Sequence, residues 1–502
     1  MLRLLTGTLI LICLLCCNSS LLAQTKSSET TRGEIELAIL NLQFERASNQ
    51  LHQLSSSPAH AAYYRLSISV YQFLATQDNQ YFRQMRSNWK TYEGIIEKLS
   101  DTDPQKRLLL AEIHCKRAAV EFLKENYFTA VQYARSGRNY AIEQAKLFPQ
   151  DPAINKVLGV FNAMFGAVPS RYLWLTETLG YEGDVQQGLK QLSLASQSKE
   201  GFMIIEADLF ASYIEKIMLN QSQAALERLI STRKTKGKSA VVDYFSALAY
   251  MQNKQTEKAL VLLQNQIATT DLERLKMPYW DYQLAKAYYY RGNYAQAYPY
   301  FKRFLETYKG ALFRTDACFR LGMSYTLNGA DTQGRRYFEL INSGEDSGFD
   351  QDEYAAHLAK RFEQNTPSKA LKDLFRARNY YDGGYFSKAE ALLLALEQKS
   401  LDLNAEERTE LRYRLGRLYH AQNLLSKAQT YYEASAQESV EEQKWLQAYA
   451  QYYLGEIAFS KALLPQAREY YEAALAYDDY WYQSGLENRC KSRLSEMKSR
   501  AK

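Results

Sequence analysis

Gln451-Tyr452-Tyr453-Leu454-Gly455, continued by Ala458, Ala467, Tyr471 and Ala474, is the stretch whose spacing decides the fold. Leu-Gly and the residue three further on lie one turn apart on a single helix. A small residue near the start of a second helix lets the two backbones approach closely, and an aromatic ring four residues later fills the seam. The pattern recurs as Leu415-Gly416, Tyr419, Ala428 and Tyr432, as Leu284-Ala285, Tyr288, Ala297 and Phe301, and as Leu321-Gly322, Tyr325, Gly334 and Phe338. The joint between the helices repeats too, as Arg291-Gly292-Asn293-Tyr294, Asn328-Gly329-Ala330 and Gly383-Gly384-Tyr385, where glycine supplies a C-cap without Cβ strain.

On these residues the chain resembles the tetratricopeptide-repeat superfamily from Val241 to Asp479. Weaker copies include Tyr250, Ala259 and Leu263, then Tyr380, Ala389 and Leu393. From Gly33 to Leu147 they include Asn126-Tyr127 with Ala130 and Tyr133, and Phe44 with Ala47 and Leu51. The resemblance implies an all-α solenoid of antiparallel helix pairs wound into a superhelix. The small seam residues fall at 259, 297 and 334, then at 389, 428 and 467, a step longer than the roughly 34 residues of the standard repeat. The gap from 334 to 389 is longer still, so Ser343 to Pro367 is expected to hold an extra helix or a joint between two sub-arrays. Asp151 to Lys238 departs from the spacing, with Gly166-Ala167-Val168-Pro169-Ser170 and Leu179-Gly180-Tyr181-Glu182-Gly183-Asp184 reading as irregular turns. There it resembles helical-repeat proteins of the eukaryotic inclusion-body-clearance type, a resemblance that implies no function. The expected organisation is a signal segment 1–23, a helical region 24–240 with degenerate units, repeats 241–342, the joint 343–367, repeats 368–488 and a basic capping helix 489–502.

Composition agrees with a long helical array. In 502 residues there are 9 Pro and 23 Gly, few breakers for that length, while 46% apolar and 24% charged residues exclude a disordered chain. A net charge of +6 from 62 basic and 56 acidic side chains gives no global field to steer nucleic acid. The chain has 40 Tyr against 21 Phe and 5 Trp, and Tyr suits grooves and seams where a ring is covered and its hydroxyl reaches a partner.

Met1-Leu2-Arg3, the apolar run Leu4 to Cys17 and the small Ala23 form a secretory signal with cleavage expected after Ala23. An uncleaved anchor is one alternative. A lipoprotein signal ending at Cys16 or Cys17 is another, disfavoured because Leu and Cys precede where Gly, Ala or Ser belongs. The expectation is an exported protein of a bacterial periplasm or cell surface, peripherally associated with the envelope. Cys115, Cys318 and Cys490 are then an odd, dispersed set, expected as small buried apolar residues rather than a disulfide framework.

In the superfamily, the first helix of each pair lines a concave groove where extended peptides dock. The resemblance places Tyr244, Tyr282, Phe319, Tyr413 and Tyr452 in one outward column, Lys286, Arg378 and Arg417 in the next, and Tyr289, Tyr381 and His420 one turn on. Such a groove would favour acidic or C-terminal carboxylate ligands through cation and ring contacts. The paired Lys and Asn of the chaperone-tail clamp are not found.

The run Arg233 to Lys238 reads as a solvated loop, and Glu345-Asp346 with Asp350, Asp352 and Glu353 lacks calcium-loop spacing. His52, His60, His114, His357 and His420 are dispersed, and no metal pair, phosphate loop or nucleophile elbow occurs. The expected function is therefore a non-catalytic adaptor for a protein or peptide, without cofactor, metal or nucleic acid. An exported glycan- or peptide-ligand-binding module using the Tyr-rich groove, with Tyr282 and Tyr452 as the rings to test for glycan stacking, is the alternative, and an enzyme with a site assembled from distant repeats a lesser one.

Overall fold

The structure is a computed structural model that describes residues 26–149, 151–166, 183–198, 201–219, 221–237, 239–265, 277–341, 350–438 and 440–500. Among them the chain forms 24 helices and no strand, an all-α solenoid. The signal segment, most of the Gly and Pro turn cluster 166–184, Lys238 and Glu345-Asp346 lie outside the described residues.

The N-terminal region contains α1 (Lys26–Leu40), α2 (Phe44–Gln50), α3 (Pro58–Thr76), α4 (Asn79–Glu97), α5 (Pro104–Leu123), α6 (Tyr127–Leu147), α7 (Pro152–Gly166), α8 (Val185–Ala195), α9 (Gly201–Tyr213) and α10 (Ser222–Lys236). A π-helical turn, Ile214–Met218, extends α9. The first regular array is α11 (Ala240–Gln252), α12 (Thr256–Asn265), α13 (Tyr279–Arg291), α14 (Tyr294–Thr307), α15 (Arg314–Leu327) and α16 (Asp331–Glu339). A single helix, α17 (Asp350–Gln364), stacks on α15 and α16. The second array is α18 (Lys369–Gly383), α19 (Phe386–Glu397), α20 (Ala405–Ala421), α21 (Leu425–Ala436), α22 (Lys444–Ser460) and α23 (Leu464–Leu475), closed by α24 (Gln483–Arg500).

The repeat glycines are where they are because a ring occupies the space of their missing side chain. A Cβ added to Gly416 would lie 2.7 Å from the Tyr432 ring, and one added to Gly455 would lie 2.6 Å from that of Tyr471. The inter-helix turns share a left-handed residue: Gly292, Gly329 and Gly384 at φ of 82°, 89° and 85°, and Lys254, Asn423 and Ala462 at 58°, 60° and 58°. Leu42 and Glu125 do the same at 61° and 60°, which carries the turn geometry of the repeat into the degenerate N-terminal units.

Two basic stretches differ from their reading. Arg233 to Lys236 is the last turn of α10 rather than a loop, with Arg233 paired to Asp243 at 2.6 Å, and cations there oppose the negative end of the helix dipole. The terminal helix begins at Gln483, six residues before the basic tail, and seals the array with buried Leu486, Cys490 and Met497. Cys115 and Cys318 are half-buried and only Cys490 is fully covered; all three are free thiols. Asp352, from the acidic cluster, accepts hydrogen bonds from the Phe313 and Asp316 amides, both at 2.8 Å, and so anchors α17 to the start of α15.

After α17 the chain turns back. Instead of stacking as the next repeat, α18 lies across the first array's inter-helix turns. Lys372 pairs with Asp331 at 2.8 Å, Arg376 donates to the Leu327 carbonyl at 2.6 Å, and Asn379 donates to the Tyr294 hydroxyl at 3.4 Å. At its far end Tyr385 donates to Glu257 at 2.8 Å. A Cβ on Gly384 would stand 1.8 Å from the Lys254 carbonyl oxygen, so this contact admits glycine alone. Gly329 has almost the same φ but nothing within 4 Å of an added Cβ. Gly329→Ala is thus expected to cost only the left-handed strain, about 1–2 kcal/mol, and Gly384→Ala clearly more. Denaturant titration of both variants measures the difference; equal losses would contradict the inter-array contact.

The N-terminal helices are joined by a buried ionic quartet. Lys156 reaches Glu206 at 2.6 Å and Glu112 at 2.8 Å, while Lys116 reaches Glu112 and the Tyr63 hydroxyl, both at 3.0 Å. These contacts tie α3, α5, α7 and α9 together. Burial pushes the Glu206 carboxyl up to about 8 against the pull of Lys156. Burial also works to raise Glu112, but Lys156 and Lys116 together hold it at about 2. Glu206 binds its proton more tightly folded than unfolded, so its contribution to stability is present below its unfolded pKa and is lost as pH rises to about 8. Between pH 6 and 9 the Glu206→Gln protein is therefore expected to lose less stability than the natural chain, read from urea midpoints; parallel curves would refute this assignment.

Candidate functional site

The inner faces of the two arrays converge where α18 crosses the first. Helical geometry puts the residue two before and the residue one after the small residue of each first helix (Ala285, Gly322, Ala377, Gly416 and Gly455) on a common face. Lys286 on α13, Arg320 on α15, Arg378 on α18, Arg417 on α20 and Tyr453 on α22 occupy those positions and come together at one inner cleft. Lys254 joins it from the turn after α11 and Arg489 from α24, while Lys216, on the π-helical turn, donates to Ser222 at 2.6 Å and lies near both. Tyr482, in the left-handed conformation at φ 65°, brings its ring beside Tyr354 with 5.6 Å between centroids.

The carboxylates in the cleft are placed against these cations. Asp316 holds Arg320 at 2.6 Å, and Glu410 holds Arg414 at 2.9 Å. Asp382 stands 3.7 Å from Lys254 and 3.9 Å from Arg378, long distances for an ion pair. Burial raises the Asp382 carboxyl, but Lys254, then Arg378, Arg414 and Arg417, hold it below its ordinary value. Water still reaches these groups: 32% of the Asp382 side chain, 25% of Lys254 and 22% of Arg378 are accessible. Arg417 has no carboxylate at ion-pair distance among the described residues. Its guanidinium lies 4.7 Å from the Tyr453 ring centroid, 5.1 Å from that of Tyr381 and 5.8 Å from that of Tyr413, and it donates to the Tyr413 hydroxyl at 3.1 Å. Lys286 lies 5.7 Å from the ring centroids of both Tyr282 and Tyr290. Burial first, then Arg320, pushes its ammonium down to about 8.

The expected cation column, Lys286, Arg378 and Arg417, is thus brought together in one place. The expected aromatic column is not. Tyr244, Tyr282, Phe319, Tyr413 and Tyr452 are buried, and the reading of them as outward groove residues is corrected. Tyr282 donates to Asp316 at 2.6 Å, Phe319 sits among Phe338, Phe362 and Phe375, and Tyr452 lies 5.9 Å from Tyr471 between ring centroids. With Tyr282 and Tyr452 covered, the glycan reading loses the ring faces it relied on. Tyr289 and Tyr381 are likewise buried. His420 is half-buried against Tyr453, and burial, then Arg417, lowers its pKa.

Sequence reasoning missed Arg320, Lys254, Asp382, Tyr453, Tyr482 and Arg489. The three-residue step from Arg320 to the lysine position of the repeat could have revealed Arg320; nothing local announces Lys254 or Arg489. Among the described residues no group of His, Cys, Asp and Glu could hold a metal, and no helix is long and apolar enough to cross a membrane.

The repeat fold and its inner cleft define an all-α helical-repeat protein. Within it, residues 151–371 match the family described as Iml2/Tetratricopeptide repeat protein 39, a match that begins where the standard spacing breaks down. No curated protein matches the chain. A tetratricopeptide repeat protein from Parabacteroides merdae is similar at 14% identity over 68% of this chain and 98% of that one, with a TM-score of 0.26. Yeast Tom70 is similar at 11% identity over 87% and 89%, with a TM-score of 0.32. Human IFIT1 with m7Gppp-AAAA is similar at 14% identity over 94% of each chain, with a TM-score of 0.29.

The depressed ammonium of Lys286 is directly measurable. In competitive acylation read by mass spectrometry, Lys286 is expected to titrate near 8. A titration near the ordinary lysine value of about 10.4 would show that the cleft is more open to water than described.

Proposed function

We propose that this chain is a non-catalytic scaffold that holds an extended segment of a protein partner in the inner cleft between the two arrays. The observation that supports this best is the cleft itself: fixed cations and tyrosine rings on rigid helices, still reached by water. Rigid presentation lowers the ordering cost that a bound segment must overcome. The apolar run Leu4 to Cys17 with Ala23 supports export to a cell envelope as the place where the partner is met.

A photo-crosslinking residue at position 290, on the cleft wall, is expected to capture a discrete protein from an envelope fraction. The same residue at position 261 is the control, because Val261 is 55% exposed on α12 and lies outside the cleft. Capture of nothing at 290, or of the same set at both positions, would count against the scaffold reading.

A further inference from the structure

The strongest unexplained feature of the molecule is a charge imbalance that is local to the cleft. The whole chain is only weakly basic, yet cations outnumber carboxylates in the cleft. We propose that the cleft receives a polyanionic stretch of the partner, consecutive acidic or phosphorylated side chains, held by Lys254, Lys286, Arg320, Arg378, Arg417 and Arg489. This rests on the scaffold reading above and names the chemistry of what that site takes.

Three observations carry it. First, Lys286 and Arg417 lie against rings and have no carboxylate at ion-pair distance among the described residues, so their charge is left for a ligand. Arg417 is fixed by Tyr381, Tyr413 and Tyr453, and a guanidinium held by ring stacking loses little freedom when it grips an anion. Second, the cleft's own Asp382 shows how weakly an internal anion is clamped there, at 3.7 Å from Lys254 and 3.9 Å from Arg378, so a ligand carboxylate or phosphate can compete for the same cations. Third, the lysines of the cleft are held down by burial and, after it, by the neighbouring cations. Lys286 is faced by Arg320 and Asp316 from α15 and by Arg378 and Asp382 from α18, and lies near 8. Lys216, faced by Arg489 and Lys254, is likewise lowered to about 8, burial being the larger cause for both. An incoming anion relieves that repulsion and draws protons onto both ammonium groups, so binding weakens as pH rises above about 8.

The neighbouring surface sharpens the assignment. A separate cleft of about 730 Å³ shares Tyr482 with the inner cleft but is lined by six carboxylates, Asp350, Glu353, Glu441, Glu442, Asp479 and Glu487, against Lys444 and Lys491. The excess of carboxylates there repels a polyanion, so of these two neighbouring clefts the inner one is favoured.

The test uses the full chain and fluorescence anisotropy with three labelled probes: a ten-residue glutamate peptide, a phosphoserine peptide of equal length and a ten-nucleotide single-stranded RNA, with a lysine peptide as control. At least one anionic peptide is expected to bind saturably and to weaken several-fold between pH 7 and 9. It should lose at least tenfold in the Lys286→Gln/Arg489→Gln protein. Arg417→Gln should lose as much, with thermal melting confirming that it folds, while Glu441→Gln/Glu442→Gln should lose nothing. Binding of the glutamate peptide assigns an acidic segment as the source, and binding of the phosphoserine peptide alone assigns a phosphorylated one. Anionic peptides that bind no better than the lysine peptide, affinity unchanged in the Lys286 and Arg489 variant, or RNA bound ten times more tightly than either peptide would overturn the proposal. Partner capture at position 290 without peptide binding sinks this inference alone; peptide binding without partner capture sinks the scaffold reading alone.

Discussion

The second half of the molecule is placed by one close approach, the backbone of Gly384 against the carbonyl of Lys254. Both residues end the first helix of a pair and both are left-handed, but they are 130 positions apart in the chain. The approach lets α18 lie across three successive turns of the first array, where Tyr385, Asn379, Arg376 and Lys372 each find a partner. A helix of this length, rising about 1.5 Å per residue, suits a crossing of several neighbouring pairs. Without the reversal before α18 the two arrays would continue as one open superhelix, and their cation-bearing faces would not meet.

That reversal is what gives ordinary repeat positions an unusual environment. In an open array, Lys286, Arg378 and Arg417 would be separate solvated charges of little energetic consequence. Brought face to face, they surround a Lys286 that burial and the neighbouring arginines hold down, keep Asp382 ionised and leave Arg417 among tyrosine rings. The buried quartet of Glu112, Lys116, Lys156 and Glu206 plays a contrasting role in the N-terminal half. There the charges are sealed away and satisfy each other, so they specify helix positions rather than await a ligand.

How much of this was legible in the sequence follows from how far apart the contacting residues are. Gly416 meets Tyr432 and Gly455 meets Tyr471 within one helix pair, so the spacing alone disclosed both contact and fold. The cation column was legible for the same reason, since each member directly follows the small residue of its first helix, Ala285, Ala377 or Gly416. The aromatic column was misjudged because a tyrosine whose hydroxyl is taken up by a buried carboxylate, as Tyr282 is by Asp316, has the same spacing as one facing a groove. The fold-back of α18 was not legible, because residues 254 and 384 belong to different repeats and no period links them. Lys254, Arg489 and Tyr482 join the cleft only through that tertiary arrangement, so no local pattern could name them.

The account stands or falls on the two arrays being held face to face. Spin labels at position 261 on the first array and position 401 beside the second, where Val261 and Leu401 are exposed, report their separation by pulsed dipolar spectroscopy. The account predicts a single narrow distance distribution in the natural sequence, broadened in the Gly384→Ala background. A broad distribution that is the same in both would contradict it, because the arrays would then move independently and no fixed inner cleft would exist.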